Sequence, residues 1–175
     1  MDTVTDPLRR WLDAALEGDD HAVERLVADS QPMVWRVCTA LGSRGEVEDL
    51  VQETYLRALR SIDRYRGDAP VRAWLASIAR NVCADHVRVR QRRRRLRDRL
   101  ERVFDSTEVP PGDVVDDLVA GLDPARREAF VLTQLAGLSY EEAAVAVGCP
   151  IGTIRSRVAR ARADLARMVA AAEAR

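Results

Sequence analysis

The stretch LSYEEAAVAVGCPIGTIRSRVARAR, residues 138–162, predicts two short helices joined by a tight turn. Ser139 and Glu142 have the spacing of a capping box, in which each side chain bonds the backbone N–H of the other residue. Gly148 predicts the end of the first helix, because glycine readily adopts the left-handed conformation found there. Pro150 suits the first position of the second helix, where its missing N–H costs nothing. The stretch therefore predicts a helix-turn-helix.

Apolar residues of the second helix recur at spacings of three and four, which gathers them on one buried face: Ile151, Ile154, Val158, Ala161, Leu165 and Met168. The other faces are rich in arginine and supply candidates for contact with duplex DNA: Thr153, Arg155, Ser156, Arg157, Ala159, Arg160 and Arg162. A guanidinium can bond guanine bidentately in the major groove or neutralise a phosphate. The alternative interpretation is a solvated basic face on an ordinary surface helix.

Charge is unevenly distributed along the chain, although 28 basic residues balance 28 acidic ones. Residues 72–102 hold 11 arginines and 3 acids, and residues 124–175 hold 8 arginines and 5 acids. Between them, residues 103–123 hold 6 acids and no arginine. Two basic segments separated by an acidic one indicate two nucleic-acid contacts on one chain.

Hydrophobic periodicity is helical along the chain, and no alternating run is long enough to predict a strand. Pro32 predicts a break between two of the N-terminal helices. The segment DSTEVPPGD, residues 105–113, has the composition of a flexible, exposed, acidic linker. We therefore predict an all-α protein with two small helical domains, residues 1–104 and 114–175, the second of about four helices.

The helix predicted over residues 46–62 has an apolar inward stripe and an opposite face where one leucine lies among polar side chains. An exposed leucine can anchor a protein interface while the surrounding polar groups fix its register. The candidates for such an interface are Asp49, Gln52, Glu53 and Leu56. The alternative is a solvated face with one stray leucine. Because no catalytic partner accompanies these carboxylates, no catalytic site is predicted here.

An aromatic loop and a strongly basic helix follow this segment. Tyr65 in the loop can stack on an unpaired base, and Asn81 on the helix can bond a base edge. Arg80, Arg88 and Arg90 can hold the phosphate backbone. This combination favours single-stranded DNA, and the alternative is a helix end whose run of arginines only faces solvent.

The three cysteines, Cys38, Cys83 and Cys149, have no metal-binding spacing with each other or with the histidines. We predict reduced thiols in the core, with a redox sensor as the alternative. No metal site and no cofactor are predicted. No signal peptide or membrane-spanning apolar run is recognisable, which predicts a cytoplasmic protein without membrane insertion.

Three motifs in order resemble the extracytoplasmic-function (ECF) branch of bacterial sigma-70 factors, the smallest class, which keeps only the second and fourth conserved domains. The motifs are DLVQETYLRALRSI at residues 49–62, RYRGDAPVRAWLASIARN at 64–81 and GLSYEEAAVAVGCPIGTIRSRVARAR at 137–162. The likeness spans nearly the whole chain. It implies a sigma-2-like and a sigma-4-like domain in a protein that binds core RNA polymerase and directs promoter-specific initiation.

The resemblance also implies residue roles. The polymerase clamp helices would contact Asp49, Gln52, Glu53 and Leu56. The minus-ten element, with one flipped base, would be bound by Tyr65, Arg66, Gly67, Asp68, Ala69, Arg80, Asn81 and Arg88. The minus-thirty-five major groove would face Arg155, Ser156, Ala159 and Arg160, with Arg157 and Arg162 on phosphates. Asp85 departs from the pattern, since some members carry asparagine there and a carboxylate repels phosphate unless it accepts from a cytosine amino group.

The implied mechanism is strand opening by binding energy, without covalent chemistry, so we do not predict an enzyme. Core polymerase would hold the two domains apart while one docks on duplex promoter DNA and the other captures the melted single strand. An anti-sigma factor is a further candidate partner. We also hypothesise that the acidic linker masks the basic surfaces before polymerase binds.

Two rival functions follow from the same motifs. A stand-alone helix-turn-helix regulator would dimerise and bind a palindromic duplex without polymerase. An enzyme acting on nucleic acid would need a metal or nucleophile constellation, and the sequence shows none.

Overall fold

The computed structural model describes residues 6–43, 45–100 and 114–174. Within these ranges the regular elements are helices: α1 Arg9–Leu16, α2 Asp20–Leu41, α3 Val47–Arg60, α4 Val71–Leu100, α5 Val114–Ala120, α6 Pro124–Phe130, α7 Tyr140–Val147 and α8 Ile151–Glu173. A 3₁₀ turn, Ile62–Arg64, follows α3, and α6 continues into a wide π turn, Val131–Leu135. The predicted all-α fold is confirmed. The predicted linker, residues 105–113, lies outside the described residues, and so does the segment predicted to mask the basic surfaces.

α2 runs without interruption through Pro32, so the predicted break at this proline is wrong. Asp19 caps the helix by accepting hydrogen bonds from the backbone N–H groups of His21 and Ala22, at 2.9 and 3.3 Å. An internal proline costs a helix about 3 kcal/mol. On both sides of it, however, apolar side chains such as Leu26 and Val34 are buried, and each contributes about 1.5–3 kcal/mol. Burial therefore outweighs the lost backbone hydrogen bond.

The N-terminal bundle consists of α1–α4 and fixes the orientation of α3. Leu12 of α1 and Leu75 of α4 are fully buried in its core. Tyr55 of α3 is also buried, and its hydroxyl lies 2.9 Å from that of Ser30 on α2. Burial raises the pKa of Tyr55 to about 12. Because the inner face of α3 is held in this way, its opposite face points to solvent.

The C-terminal bundle consists of α5–α8 and contains the predicted helix-turn-helix. Ser139 Oγ accepts a hydrogen bond from the Glu142 N–H at 3.0 Å, and the Glu142 carboxylate accepts from the Ser139 N–H at 2.7 Å. Gly148 ends α7 at φ 74°, in the left-handed region. Pro150 lies one residue before the first position of α8 rather than at it. The capping box and the turn between the two helices are thus confirmed.

The two bundles pack against each other through small side chains. Ala76 and Ala79 on α4 are fully buried, and they belong to the same apolar core as Leu132 and Ala143 of the C-terminal bundle. Alanines let helix backbones approach closely, because no longer side chain separates them. In the free chain the two domains are therefore packed together. The sequence predicts separated domains only for the polymerase-bound protein, which is a different arrangement.

Polar contacts reinforce this packing at its edges. The Arg80 guanidinium pairs with the Glu128 carboxylate, and the two side chains are only 27% and 20% exposed. Arg127 Nε donates to the Ala40 carbonyl at 2.8 Å. Arg72 Nη2 donates to the Gly137 carbonyl at 3.0 Å. Each of these contacts joins one bundle to the other.

The cysteines are free thiols in the described part of the chain. Cys38 and Cys83 are buried, as predicted, and the neighbouring Cys38 side chain together with burial raises the pKa of the Cys83 thiol. Cys149 is only partly buried, beside Arg157, so its predicted place in the core is wrong. The turn between α7 and α8 keeps it near the surface. Among the helices described, none is long and apolar enough to cross a membrane.

Candidate protein and nucleic-acid interfaces

The outer face of α3 carries the residues predicted to bind a protein partner. Leu56 is 48% exposed, and Asp49 and Gln52 lie exposed beside it. Glu53 is half-buried, and its carboxylate accepts a hydrogen bond from Arg57 Nε at 2.7 Å. The sequence missed Leu59, which is 37% exposed and widens the apolar surface. Helical periodicity places Leu59 beside the apolar stripe of α3 that faces the core. Only the tertiary packing shows that no other helix of the described chain covers its side chain.

Asp85 belongs to an ion-pair chain that connects α3 with α4. Its carboxylate accepts a hydrogen bond from Arg57 Nη1 at 2.8 Å and a second one from Arg88 Nη2. The hydrogen bond from Arg57, followed by that from Arg88, lowers the pKa of Asp85. The carboxylate is therefore ionised and compensated by two guanidinium groups, which removes much of the expected repulsion of phosphate. It also holds Arg88, a predicted minus-ten contact.

The predicted minus-ten loop is organised around Tyr65. Its hydroxyl donates to the Ala69 carbonyl, and its ring centroid lies 5.2 Å from that of Trp74. The Arg9 guanidinium lies 5.3 Å from the same ring centroid, on a helix that sequence reasoning did not connect with this loop. The ring therefore has neighbours already, and stacking on a base would require one of them to move. Arg66, Gly67 and Asp68 are exposed at the tip of the loop.

Asn81 and Arg80 lie next to each other at the start of the basic part of α4. Arg80 Nη1 donates to Asn81 Oδ1 at 2.9 Å, while the same guanidinium pairs with Glu128. Val145 of α7, 51% exposed, shares a groove with Tyr65 and other residues of the minus-ten loop. The C-terminal bundle thus borders the surface predicted to bind single-stranded DNA. Its Glu128 pairs with Arg80, so Arg80 is not free in this arrangement.

The exposed side of α8 carries most of the residues predicted to contact duplex DNA. Arg155, Ser156, Ala159, Arg160 and Arg162 are exposed, whereas Thr153 and Arg157 are half-buried. Within the described ranges, no carboxylate lies within 4.0 Å of Arg155 or Arg160. Arg162 donates to Gln134 Oε1 at 2.6 Å. Two unpaired guanidinium groups, about 140° apart around the helix axis, therefore lie on the exposed side of this helix.

Asp164 is a buried acid that the sequence analysis did not single out. Its carboxylate accepts hydrogen bonds from Arg126 of α6, at 2.6 Å, and from Arg167 of α8. The hydrogen bond from Arg126 is the main cause of its lowered pKa. The Arg126 pair joins α6 to α8, whereas Arg167, whose side chain is 75% exposed, pairs with Asp164 at the surface of the same helix. One feature of the sequence could have identified Asp164. It lies three residues after Ala161, so it falls on the apolar side of an arginine-rich helix.

Family models match both parts of the chain. Residues 26–93 match Sigma-70 region 2, and residues 113–165 match Sigma-70 region 4. The first match contains α3, the minus-ten loop and Asn81, and the second contains the helix-turn-helix. Both conserved regions occur in the order that the motifs predicted, which disfavours a stand-alone helix-turn-helix regulator.

Curated relatives cover most of the chain. The ECF RNA polymerase sigma factor SigC of Mycobacterium tuberculosis is 46% identical over 155 residues, covering 85% of this chain and 84% of that protein. The ECF RNA polymerase sigma-E factor of Haemophilus influenzae is 32% identical over 163 residues, covering 83% and 86%.

Solved structures give the same result. CnrH, solved in complex with the cytosolic domain of CnrY, superposes with a TM-score of 0.74 at 30% identity, covering 93% of this chain and 97% of CnrH. The sigma factor RpoE of Bartonella quintana, solved with the anti-sigma factor NepR, gives 0.65 at 29% identity, covering 83% and 94%. Since family models, relatives and structures agree over both bundles, the chain belongs to the ECF subfamily of sigma-70 factors, which bind core RNA polymerase and direct promoter-specific transcription initiation.

Proposed function

We propose that this sigma factor divides its task among three surfaces. The outer face of α3 binds the clamp helices of core polymerase, with Leu56 as the anchor. The minus-ten loop and Asn81 hold a flipped base of the melted strand. The exposed face of α8 binds the minus-thirty-five duplex, and the observation that carries this assignment is the pair of uncompensated guanidinium groups on Arg155 and Arg160.

The chain acts by binding alone in this proposal. Hydrogen bonds and stacking to unpaired bases stabilise the open strand, so binding energy lowers the free energy of the melted promoter without a covalent step. The N-terminal domain, residues 1–104, contributes the polymerase and minus-ten contacts, and the C-terminal domain, residues 114–175, contributes the minus-thirty-five contact. The protein would work in the cytoplasm, where polymerase and chromosome are found.

The two domains must separate before both promoter elements are bound. A compact chain of 175 residues has a diameter of about 40 Å. The two elements lie about 25 base pairs apart, or about 85 Å of duplex at about 3.4 Å per base pair. The packed arrangement cannot span this distance, and its Arg80 is bound to Glu128. We infer that core polymerase holds the opened form.

An anti-sigma factor is a further proposed partner. The support is the structural likeness to RpoE, which was solved with the anti-sigma factor NepR. Such a partner would be identified by co-purification with this chain and by loss of promoter-specific transcription when it is added back.

The proposed function is tested by transcription in vitro. The protein is added to core polymerase with a library of genomic fragments, and the transcripts are sequenced. We expect starts that share one minus-ten and one minus-thirty-five element. Random starts, or binding to a palindromic duplex in the absence of polymerase, would contradict the proposal.

Arg160→Ala is expected to reduce discrimination at one minus-thirty-five base pair about tenfold, because a bidentate guanidinium contact to a base contributes about 1–3 kcal/mol of discrimination. The measurement is the ratio of holoenzyme affinities for the consensus duplex and for duplexes with single changes. Arg167→Ala is the matched control on the same helix, since Arg167 pairs with Asp164. An unchanged ratio in Arg160→Ala would remove this residue from the groove contact.

A further inference from the structure

Four side chains of alternating charge form a continuous ion-pair chain between the outer face of α3 and the basic part of α4. Glu53 accepts a hydrogen bond from Arg57 Nε at 2.7 Å, and Arg57 Nη1 donates to Asp85 Oδ2 at 2.8 Å. The other oxygen of Asp85 accepts from Arg88 Nη2. One end of the ion-pair chain therefore lies on the surface proposed to bind polymerase, and the other end is a residue predicted to bind the minus-ten strand.

The two middle members, Arg57 and Asp85, are each shared between two partners. Arg57 uses different nitrogen atoms for its two carboxylates, and Asp85 uses different oxygen atoms for its two guanidinium groups. The four side chains are between 40% and 63% exposed, so they can shift without disturbing the core. When one partner of a shared group is withdrawn, the group moves closer to the other partner, because Coulomb attraction increases as the distance falls.

Arg88 is the more weakly held of the two cations at Asp85. The hydrogen bond from Arg57 is the larger cause, and that from Arg88 the smaller cause, of the lowered pKa of Asp85. The Arg88 side chain is also 63% exposed, against 40% for Arg57, so water screens its attraction to the carboxylate more strongly. When Arg57 moves closer to Asp85, Arg88 is therefore the group that is released.

Binding of a cation to Glu53 produces this movement. The outer face of α3 carries Asp49 as well as Glu53, and an acidic face favours a partner surface that presents positive charge. A cation of the partner competes with Arg57 for the Glu53 carboxylate. Arg57 then pairs with Asp85 alone, and the N–H groups of Arg88 become available to a phosphate.

We propose that Arg57 and Asp85 are positioning residues that couple polymerase binding by α3 to phosphate binding by Arg88. The inference rests on the proposed function, which supplies both ligands, but neither positioning residue needs to contact polymerase or DNA. A coupling free energy is reciprocal, so a strand bound to Arg88 also strengthens the polymerase contact of Glu53. The ion-pair chain thus releases Arg88 for DNA when the holoenzyme forms.

The coupling is tested by Glu53→Gln, which keeps the shape of the side chain and removes the charge that attracts Arg57. Glu46→Gln is the matched control, because Glu46 precedes α3 and also pairs with α4, through His86 at 2.6 Å. Affinity for a labelled minus-ten single strand is measured at low salt, in the free full-length protein and in holoenzyme. Exposed ion pairs are individually weak, so we expect Glu53→Gln to bind about twofold more tightly than Glu46→Gln in the free protein. In holoenzyme the two affinities should be equal, since polymerase already neutralises Glu53.

A second comparison separates the coupling from a structural role of the Arg57–Asp85 pair. Arg57→Gln and Asp85→Asn both break this pair, but only Arg57→Gln leaves Asp85 to hold Arg88. In holoenzyme we expect Arg57→Gln to bind the strand about twofold more weakly than Arg60→Gln, a change on the exposed side of α3 that controls for the lost positive charge. Asp85→Asn should bind at least as tightly as Glu46→Gln, because Arg88 is released.

A purely structural pair would make both Arg57→Gln and Asp85→Asn bind more weakly than their controls, and this result would overturn the inference. Equal affinities of Glu53→Gln and Glu46→Gln in the free protein would also overturn it. Melting temperatures of the variants check that the fold is retained. Failure of the wild-type holoenzyme to bind the minus-ten strand, or unchanged binding by Arg88→Gln, would instead refute the proposed function itself. The two kinds of failure are therefore distinguishable.

Discussion

Leu56→Asp is expected to weaken binding to core polymerase at least 100-fold. Leu56 is 48% exposed in the free protein, so the change removes little from the core of the bundle. In the proposed complex the new carboxylate would be buried without a partner, beside Asp49 and Glu53. Burying an unpaired charge costs several kcal/mol, and every 1.4 kcal/mol is about a factor of ten in affinity. Core binding should be lost while helicity and melting temperature are preserved.

Leu16→Asp provides the matched control for this prediction. Leu16 lies on α1 and is 43% exposed, so the same substitution introduces the same charge at similar exposure. Affinity is measured with labelled core polymerase at several concentrations of each variant. Core binding retained by Leu56→Asp, or lost equally by both variants, would show that the outer face of α3 is not the polymerase contact.

Glu128→Arg is expected to raise the affinity of the free protein for a minus-ten single strand at least tenfold. The substitution removes the partner of Arg80 and places a like charge beside it. Breaking an ion pair at this partial burial costs about 2–3 kcal/mol, between the values for exposed and fully buried pairs. The packed form is destabilised by that amount, and apparent affinity rises in proportion to the opened fraction.

Glu141→Arg is the control for added positive charge, because Glu141 is exposed on α7 of the same bundle. The two variants have the same net charge, so any difference between them reports separation of the bundles. The difference should shrink in holoenzyme, where polymerase already holds the domains apart. Equal affinities of the two free variants would mean that the packing of the bundles does not limit access to DNA.

Local sequence patterns predicted the helix-turn-helix, including the individual hydrogen bonds of its capping box. The capping box of Ser139 and Glu142 and the turn at Gly148 involve residues at most four positions apart, so neighbouring residues suffice to specify them. The same holds for the outer face of α3, because helical period alone separates Leu56 from the buried stripe.

Features that depend on contacts between distant residues were not predictable in this way. Alanines such as Ala76 and Ala79 are compatible with either a surface or an interior position, and only a second helix bundle packed on α4 buries them. Pro32 is an ordinary helix breaker by its own chemistry, and tertiary burial on both sides overrides it. Asp85 repels phosphate in isolation, whereas Arg57, 28 residues away, compensates it.

The sequence by itself therefore determined the all-helical class, the helix-turn-helix and the arginine-bearing side of α8, because periodicity and capping act over one or two turns. Only the tertiary structure placed α1 against the minus-ten loop and Arg80 against Glu128. These contacts join residues about fifty positions apart, and no local pattern encodes them. The free energy of packing, summed over many small apolar contacts, selects that arrangement.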